Sequence, residues 1–390
     1  MAWPGEVIEE RAGDIAEAAD VLLRHQAAWR HRRVETITVL SHEQVRRQVS
    51  VDFTVPEAQR ERLRLSAEEF IVPVALLSKR PLVHFDLRNE EQHAIPLLTA
   101  EQHRTIAREL LRRQLDDELD ADELIEAVLA DEPRDVEQLI GALEEAHGIE
   151  LADFRATAVV LSQYFIAWAI VRGVDRRRVF KMAFDEPVGQ KSFVYLIGAP
   201  GCTEAESYHL EVAVPEDIKA RRTLLVDAAT GRRLAAGEPD ADRPALYYRA
   251  EPPLPEAPEL VIDFAAERWP FVAPAALIGS IIALLIAPPF LFSDLQALPN
   301  TAGAAVGLVL STSAVFSVLI LRSDEHPLVR LMLVRARILL AASTVASLFA
   351  AASIGFATAD WVIEGTWAIA ALVSVVTAVI LIVEALRAPP

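Results

Sequence analysis

The amino-acid sequence predicts an α+β protein in which a β-sandwich-like domain with a helical insertion precedes a bundle of four transmembrane helices. Two regions of alternating apolar and polar residues predict the β structure, and a helical stretch separates them. Four long charge-free runs at the C-terminal end predict the bundle. The hydrophobic share of 52% is high for a soluble protein, which agrees with a large membrane part.

The first two-thirds of the chain divides into four segments. We predict an amphipathic helix over residues 1–30, a β region over 31–98, a helical insertion over 99–172 and a second β region over 173–268. Thr99 and Gln102 predict a capping box where the insertion begins. The apolar run 151–171 is interpreted as a buried central helix of the domain rather than as a fifth membrane span.

One short segment of the first β region has a counterpart in the second. Residues 51–57 read VDFTVPE and residues 210–216 read LEVAVPE, so both look like strands that end at a proline. The two segments are either equivalent strands of a duplicated β unit or unrelated strands with a common terminator.

The membrane part is predicted over residues 269–390. Its four apolar runs are each close to the ~20 residues that a helix needs to cross a bilayer. The runs are 271–292, 301–321, 338–358 and 366–383. Four successive runs of this kind are hard to explain as core helices of a soluble protein.

Arginines predict the orientation of these helices, because cytoplasmic loops are rich in Lys and Arg. Four arginines lie between the second and third predicted helices, and the other two connections contain acids but no Lys or Arg. We therefore expect a multi-pass protein of the cell inner (plasma) membrane. Its large acidic domain and both termini are expected in the cytoplasm.

Several function classes are opposed by the sequence. A formal net charge of −18 opposes binding to nucleic-acid phosphates. Residues 198–203, GAPGCT, follow an apolar strand as a phosphate loop would, but Cys202 stands where such a loop needs lysine. A tight turn is the better interpretation. We find no catalytic motif, no cofactor-binding motif and no metal-ligand spacing, and we expect neither an enzyme nor a cofactor.

Three groups of residues are candidates for a functional role. A loop that couples the two parts of the protein comprises Arg322, Glu325, His326, Pro327, Arg330, Arg335 and Arg337. A basic patch facing either lipid headgroups or solvent comprises Arg176, Arg177, Arg178 and Lys181. Small residues that either pack helices together or line a pore comprise Gly307, Ser311, Ser313, Ser317, Ser343 and Ser347.

Several stretches carry a resemblance to other proteins. They are residues 49–56 (VSVDFTVP), 81–88 (PLVHFDLR), 96–99 (PLLT), 180–187 (FKMAFDEP), 208–212 (YHLEV) and 325–328 (EHPL). The chain resembles an uncharacterised group of actinobacterial membrane proteins with a cytosolic β-rich domain and C-terminal transmembrane helices. The resemblance implies this architecture and no activity.

The predicted layout favours a membrane-anchored cytosolic sensor or interaction domain that signals through the four-helix bundle. The alternative is an oligomeric channel or pore-forming effector that the cytosolic domain gates. We expect the lipid bilayer, further copies of the chain and a cytosolic ligand or protein as partners, and no nucleic acid.

Overall fold

The structure is a computed structural model with a strand-rich N-terminal domain and two long apolar helices at its C-terminal end. The α+β class predicted from the sequence is therefore confirmed. The structure describes residues 4–79, 82–115, 121–130, 135–191, 193–216, 218–239, 241, 243–266, 275–284, 286, 326–356 and 360–386.

Eight helices belong to the described part of the N-terminal domain. They are α1 (Pro4–Glu10), α2 (Ala12–Arg24), α3 (Gln26–Trp29), α4 (Glu57–Leu63), α5 (Ala100–Arg112), α6 (Asp122–Leu129), α7 (Val136–His147) and α8 (Ala152–Gln163). The first three occupy the segment where the sequence predicts one amphipathic helix. The predicted capping box at the start of α5 is confirmed, because the Thr99 and Gln102 side chains each bond the other's backbone N–H.

Thirteen strands are described in the same domain. They are β1 (Arg30–Val39), β2 (Gln44–Phe53), β3 (Glu69–Ser78), β4 (Val83–Asn89), β5 (Tyr164–Arg172), β6 (Arg178–Pro187), β7 (Gly189–Lys191), β8 (Val194–Gly198), β9 (Ser207–Ala213), β10 (Ile218–Asp227), β11 (Arg232–Ala236), β12 (Ala245–Arg249) and β13 (Pro258–Ala266). The first predicted β region contains β2 and β4, in which polarity alternates from Val49 to Phe53 and from Val83 to Leu87.

Two of the three sheets share an apolar core. A six-stranded sheet has the order β12-β9-β1-β2-β6-β4, and a five-stranded sheet has the order β11-β10-β13-β8-β7. Ile37 and Val212 of the first sheet join Ile197, Leu225 and Ile262 of the second in one buried cluster. Half of the six-stranded sheet therefore packs against the five-stranded sheet, as the layers of a sandwich do.

The other half of the six-stranded sheet faces a second core, to which the helices contribute. There β3 and β5 pair antiparallel, and Trp168 of β5 is fully buried with Ile71 of β3. Phe53 of β2, Ile106 of α5 and Phe154 of α8 belong to the same cluster. The domain thus has two cores on one side of a single long sheet.

The prediction of one central helix over residues 151–171 is wrong. Helix α8 ends at Gln163, and Tyr164 begins strand β5 in an extended conformation. The four residues from Ile166 to Ala169 are consecutively buried, so the run has no alternation that marks a strand. A short, wholly buried apolar run fits either a helix or a strand, and pairing with β3 decides for the strand.

The two similar segments at residues 51–57 and 210–216 begin in β2 and β9, which lie on either side of β1. Strand β2 is antiparallel to β1 and β9 is parallel to it. The two segments therefore run in opposite directions within one sheet, and duplication of a β unit stays a prediction.

Two C-terminal helices, Pro327–Phe356 and Asp360–Leu386, are long and apolar enough to cross a membrane by length and composition. They cover most of the predicted third span and all of the predicted fourth span. The predicted first span is described over a shorter apolar helix, Ala275–Leu284. The predicted second span, 301–321, lies outside the described residues, so the four-helix bundle stays a prediction.

The long helices leave large apolar side chains uncovered. Phe349 is 68% exposed and Leu372 is 66% exposed, although each helix also has a buried face toward the other. A core helix of a soluble protein would bury most of such a surface, because exposed apolar area costs ~25 cal/mol per Å². Lipid is the environment that this surface fits.

Candidate functional site

A network of charged side chains joins the strands around β1. Its members are Arg30, Arg33, Glu35, Arg47, Glu186 and Glu204, with the hydroxyl of Tyr208. Glu35, whose side chain is fully buried, accepts hydrogen bonds from Arg33 Nε at 2.6 Å and from Arg47 Nη1 at 2.7 Å. Glu204 accepts from Arg33 Nη1 at 2.5 Å and from Arg30 Nη1 at 2.8 Å.

The same arginines bond the other two sheets. Arg30 Nη2 donates to the carbonyl oxygen of Pro73 in β3 at 2.9 Å. Arg47 Nη2 donates to the carbonyl oxygen of Gly198 in β8 at 2.6 Å. The network therefore lies between the two cores and connects all three sheets.

Ion pairing offsets the cost of burying these charges. Burial acts to raise the pKa of Glu35, but Arg33 and Arg47 outweigh it and hold this pKa below its ordinary value. Burial lowers the pKa of Arg30 to about 10, which keeps the guanidinium protonated at neutral pH. Three guanidinium groups face three carboxylates, and such mutual compensation is the condition for stable buried charge.

Residues 198–203 form the turn that closes this network, as the sequence predicts. A short 3-10 helix, Pro200–Thr203, carries Glu204 into contact with the arginines. A methyl group added at Gly201 would overlap the Arg33 guanidinium, so a side chain at this position requires the buried guanidinium to shift. Cys202 is buried, and burial raises the pKa of its thiol to about 12, which suppresses thiolate reactivity.

The helix Pro327–Phe356 begins against the β-sandwich, where one side of its first turn is buried. His326 Nε2 donates to the carbonyl oxygen of Val39, at the end of β1, at 3.0 Å. Its Nδ1 accepts from the backbone N–H of Leu328 at 3.2 Å, so the imidazole caps the helix. Leu328 and Val329 are buried in the sandwich core with Ile37 and Val39. The helix is thus joined to the domain by core packing as well as by the chain.

A polar groove lies on the outer face of the six-stranded sheet. Its volume is about 350 Å³, and it spans β1, β2, β6 and β4. The lining residues are Val34, Thr36, Gln48, Val49, Ser50, Asp86, Arg88, Gln92, Lys181, Met182 and Ala183. This volume is within the range of small-molecule sites, which is roughly 300–1,000 Å³.

The predicted coupling loop is described in part. Arg322 and Glu325 lie outside the described residues, whereas His326 and Pro327 lie at the start of the long helix. Arg330 and Arg335 are exposed on that helix and Arg337 is half-buried. The structure therefore brings His326 to the sandwich, and the contribution of the arginines to topology stays a prediction.

The predicted basic patch is partly neutralised. Arg177 pairs with Asp52, and Arg178 pairs with Glu90 at 3.0 Å with only 12% of its side chain exposed. Lys181, by contrast, lines the polar groove and has no ion-pair partner within the described part of the chain. Binding of this patch to lipid headgroups stays a prediction.

The predicted small-residue group is described only in the third span. Gly307, Ser311, Ser313 and Ser317 lie outside the described residues. Ser343 Oγ lies 2.9 Å from Ser374 Oγ of the last helix, and both side chains are buried. Ser347 Oγ donates to the Ser343 carbonyl oxygen at 2.7 Å. Within the described helices these serines contact protein, which favours helix packing over pore lining.

Reasoning from the sequence missed both the charged network and the groove. The network could be recognised from the alternation of residues along β1. Arg33 and Glu35 occupy the same face of this strand as the buried Ile37 and Val39. Arg47 likewise occupies the buried face of β2. A charged residue at a position on the apolar face of an alternating strand indicates a side chain that is buried and ion-paired. The groove depends on which strands are neighbours, and the sequence alone does not contain this information.

The fold and the candidate site together define a β-rich domain whose core receives one end of a long apolar helix. Comparison with models of known protein families gives no match, and comparison with curated proteins gives none either. The geometry of the described residues is therefore the basis of the proposed function.

Proposed function

We propose that the protein is a membrane-anchored cytosolic sensor or interaction domain that reports the state of its β-rich domain through transmembrane helices. In this proposal four helices span the cell inner membrane, and both termini lie in the cytoplasm. The chains associate through the helices into a homo-oligomer. The resemblance to actinobacterial membrane proteins of the same layout supports this architecture.

The observation that carries the proposal is the junction between the domain and the helix Pro327–Phe356. A passive anchor needs only a flexible linker between the folded domain and the membrane. Here one side of the first turn of the helix is buried in the sandwich, with Leu328 fully inaccessible and Val329 only 1% exposed. The His326 imidazole bonds Val39 in the same place. A rearrangement of β1 therefore moves the helix, which is the requirement for signalling.

The charged network supplies a route from the rest of the domain to this junction. Strand β1 carries Arg33 and Glu35 of the network and ends at Val39, which accepts the His326 hydrogen bond. From Glu35 to Val39 is four residues, or ~14 Å along a strand. Since interfaces of packed side chains shift between discrete arrangements, a change around Glu35 can reach the helix.

Distance measurement between spin labels tests the junction. Labels are attached at Tyr247→Cys, on an exposed side chain of β12, and at Val334→Cys, on an exposed side chain of the helix. Native Cys202 is buried and stays unlabelled. We expect one narrow distance distribution for the full-length protein in nanodiscs.

The variant His326→Ala with Leu328→Ala is expected to broaden this distribution, because it removes both the cap and the buried anchor. Leu331→Ala is the matched control, since Leu331 lies one turn further along and is 43% exposed. A broad distribution in the unmodified junction would show a flexible tether and would overturn the proposal.

A further inference from the structure

We infer that the groove on the outer face of the six-stranded sheet binds a small polyhydroxylated anion, such as a sugar phosphate or a sugar acid. This inference rests on the proposed function, since it names the ligand class of the sensing domain. The geometry that carries it is the set of outward-facing side chains of β1, β2, β6 and β4 around Lys181.

The register of the strands brings these side chains together. Thr36 is opposite Gln48, and Ser50 is opposite Lys181. Lys181 is in turn opposite Arg88 of β4. Four adjacent strands separated by ~4.8 Å make a polar surface ~14 Å wide, which is wide enough for a sugar with an acidic substituent.

Charge in the groove selects an anion. Arg88 pairs with Asp86 at 2.6 Å, and this pair leaves the groove close to neutral. Lys181 then adds one positive charge that has no ion-pair partner among the described residues. A phosphate or carboxylate bound at this ammonium group would form a charge-assisted hydrogen bond, which is stronger than a neutral one.

The rest of the groove suits hydroxyl groups. Gln48, Ser50 and Thr36 offer both donors and acceptors on its floor. At the rim Gln92 adopts a left-handed backbone conformation with φ of 67°, which is uncommon for a non-glycine residue. The Asn89 side chain fixes this conformation by accepting from the backbone N–H groups of Glu91 and His93, at 3.0 and 2.9 Å. Local strain of this kind is concentrated at ligand-binding sites.

The groove also shares its strands with the helix junction. Gln48 follows Arg47, which belongs to the charged network on the opposite face of the sheet. Thr36 is three residues before Val39, or ~10 Å along β1. A ligand that clamps β1 to β2 therefore acts on β1, whose Val39 accepts the His326 hydrogen bond.

Binding is tested with glucose 6-phosphate and gluconate as anionic probes and with glucose as the neutral probe. The melting temperature of the full-length protein in nanodiscs is measured against probe concentration, since a ligand that binds only the folded state raises it. We expect at least one anion to raise the melting temperature and glucose to have no effect.

The variant Lys181→Gln removes the charge but keeps an exposed polar side chain, and its melting temperature without probe shows that it folds. We expect it to weaken binding about tenfold or more, as loss of a hydrogen bond to a charged group does. Lys219→Gln, in β10 outside the groove, is the matched control and should bind as the unmodified protein does.

Three results would overturn the inference. The first is that neither anion raises the melting temperature, and the second is that Lys181→Gln binds with unchanged affinity. Stabilisation that occurs only with phosphatidylglycerol in the nanodisc would assign Lys181 to a lipid headgroup and would also overturn it.

The spin-label distances separate this inference from the proposed function. Binding that depends on Lys181 in a protein with a flexible junction would support the ligand site and overturn the signalling role. A rigid junction without binding would leave the signalling role standing and remove the ligand site.

Discussion

Replacing Glu35 by glutamine should destabilise the domain severely. The substitution keeps the shape of the side chain but removes the charge that faces Arg33 and Arg47 at 2.6 and 2.7 Å. Each ion pair has a gross attraction of ~4 kcal/mol for charges ~4 Å apart at an effective dielectric constant of ~20. Neutral glutamine leaves one buried guanidinium charge uncompensated, and such a loss costs ~3–5 kcal/mol.

Urea denaturation of the full-length protein in detergent measures this loss, with tryptophan fluorescence as the signal. Trp29 and Trp168 report on the domain, because both are almost fully buried there. Glu211→Gln is the matched control, since Glu211 is 41% exposed and lies 3.7 Å from Arg243 at the surface. Loss of that pair should cost less than ~1 kcal/mol. If Glu35→Gln is as stable as the control, the network does not hold the sheets together.

Two further predictions concern the same region and its neighbours. Gly201→Ala should destabilise the domain by ~1–3 kcal/mol, because its methyl group overlaps a guanidinium that two carboxylates hold in place. Gly141→Ala, in a helix with open space around it, should instead stabilise by ~0.5–1 kcal/mol, and equal melting temperatures for the two variants would contradict the close contact. Acid should destabilise the domain, since Arg46 and His84 hold the pKa of Asp185 below its ordinary 3.8. A depressed folded-state pKa contributes stability that is complete above the unfolded-state value and is lost as the pH falls below ~4. Melting temperatures between about pH 6 and pH 3 measure this loss. The melting temperature should fall less steeply with falling pH for Asp185→Asn than for the unmodified protein. Parallel curves for the two proteins would show that Asp185 does not cause the acid sensitivity.

Local patterns in the sequence predict the elements in which apolar and polar residues alternate or in which a capping motif marks the start of a helix. Strands β2 and β4 alternate in polarity, and the capping box at Thr99 marks the start of α5, so the sequence predicts all three. Strand β5 could not be predicted, because both of its faces are buried and its periodicity is therefore lost. Only its antiparallel pairing with β3, more than 80 residues earlier, distinguishes it from a helix.

Sequence patterns likewise identify single residues of the candidate site but not the neighbours that the fold brings to them. His326 is identifiable because it lies beside a proline at the start of an apolar run, although its hydrogen bond to Val39 joins residues that are 287 positions apart. Lys181 is identifiable as a basic residue but not as part of a groove. Its neighbours Ser50 and Arg88 belong to β2 and β4, and only the order of the strands in the sheet places them beside Lys181.

Cytosolic placement of the β-rich domain is the claim on which the proposed function depends. It is tested by labelling Leu254→Cys, an exposed position of the domain, with a maleimide that does not cross membranes. Buried Cys202, with its raised pKa, contributes no background. Gln296→Cys, in a connection that the sequence predicts outside, is the positive control. We predict that Leu254→Cys is labelled only after the cells are broken, whereas labelling in intact cells would contradict the proposed orientation.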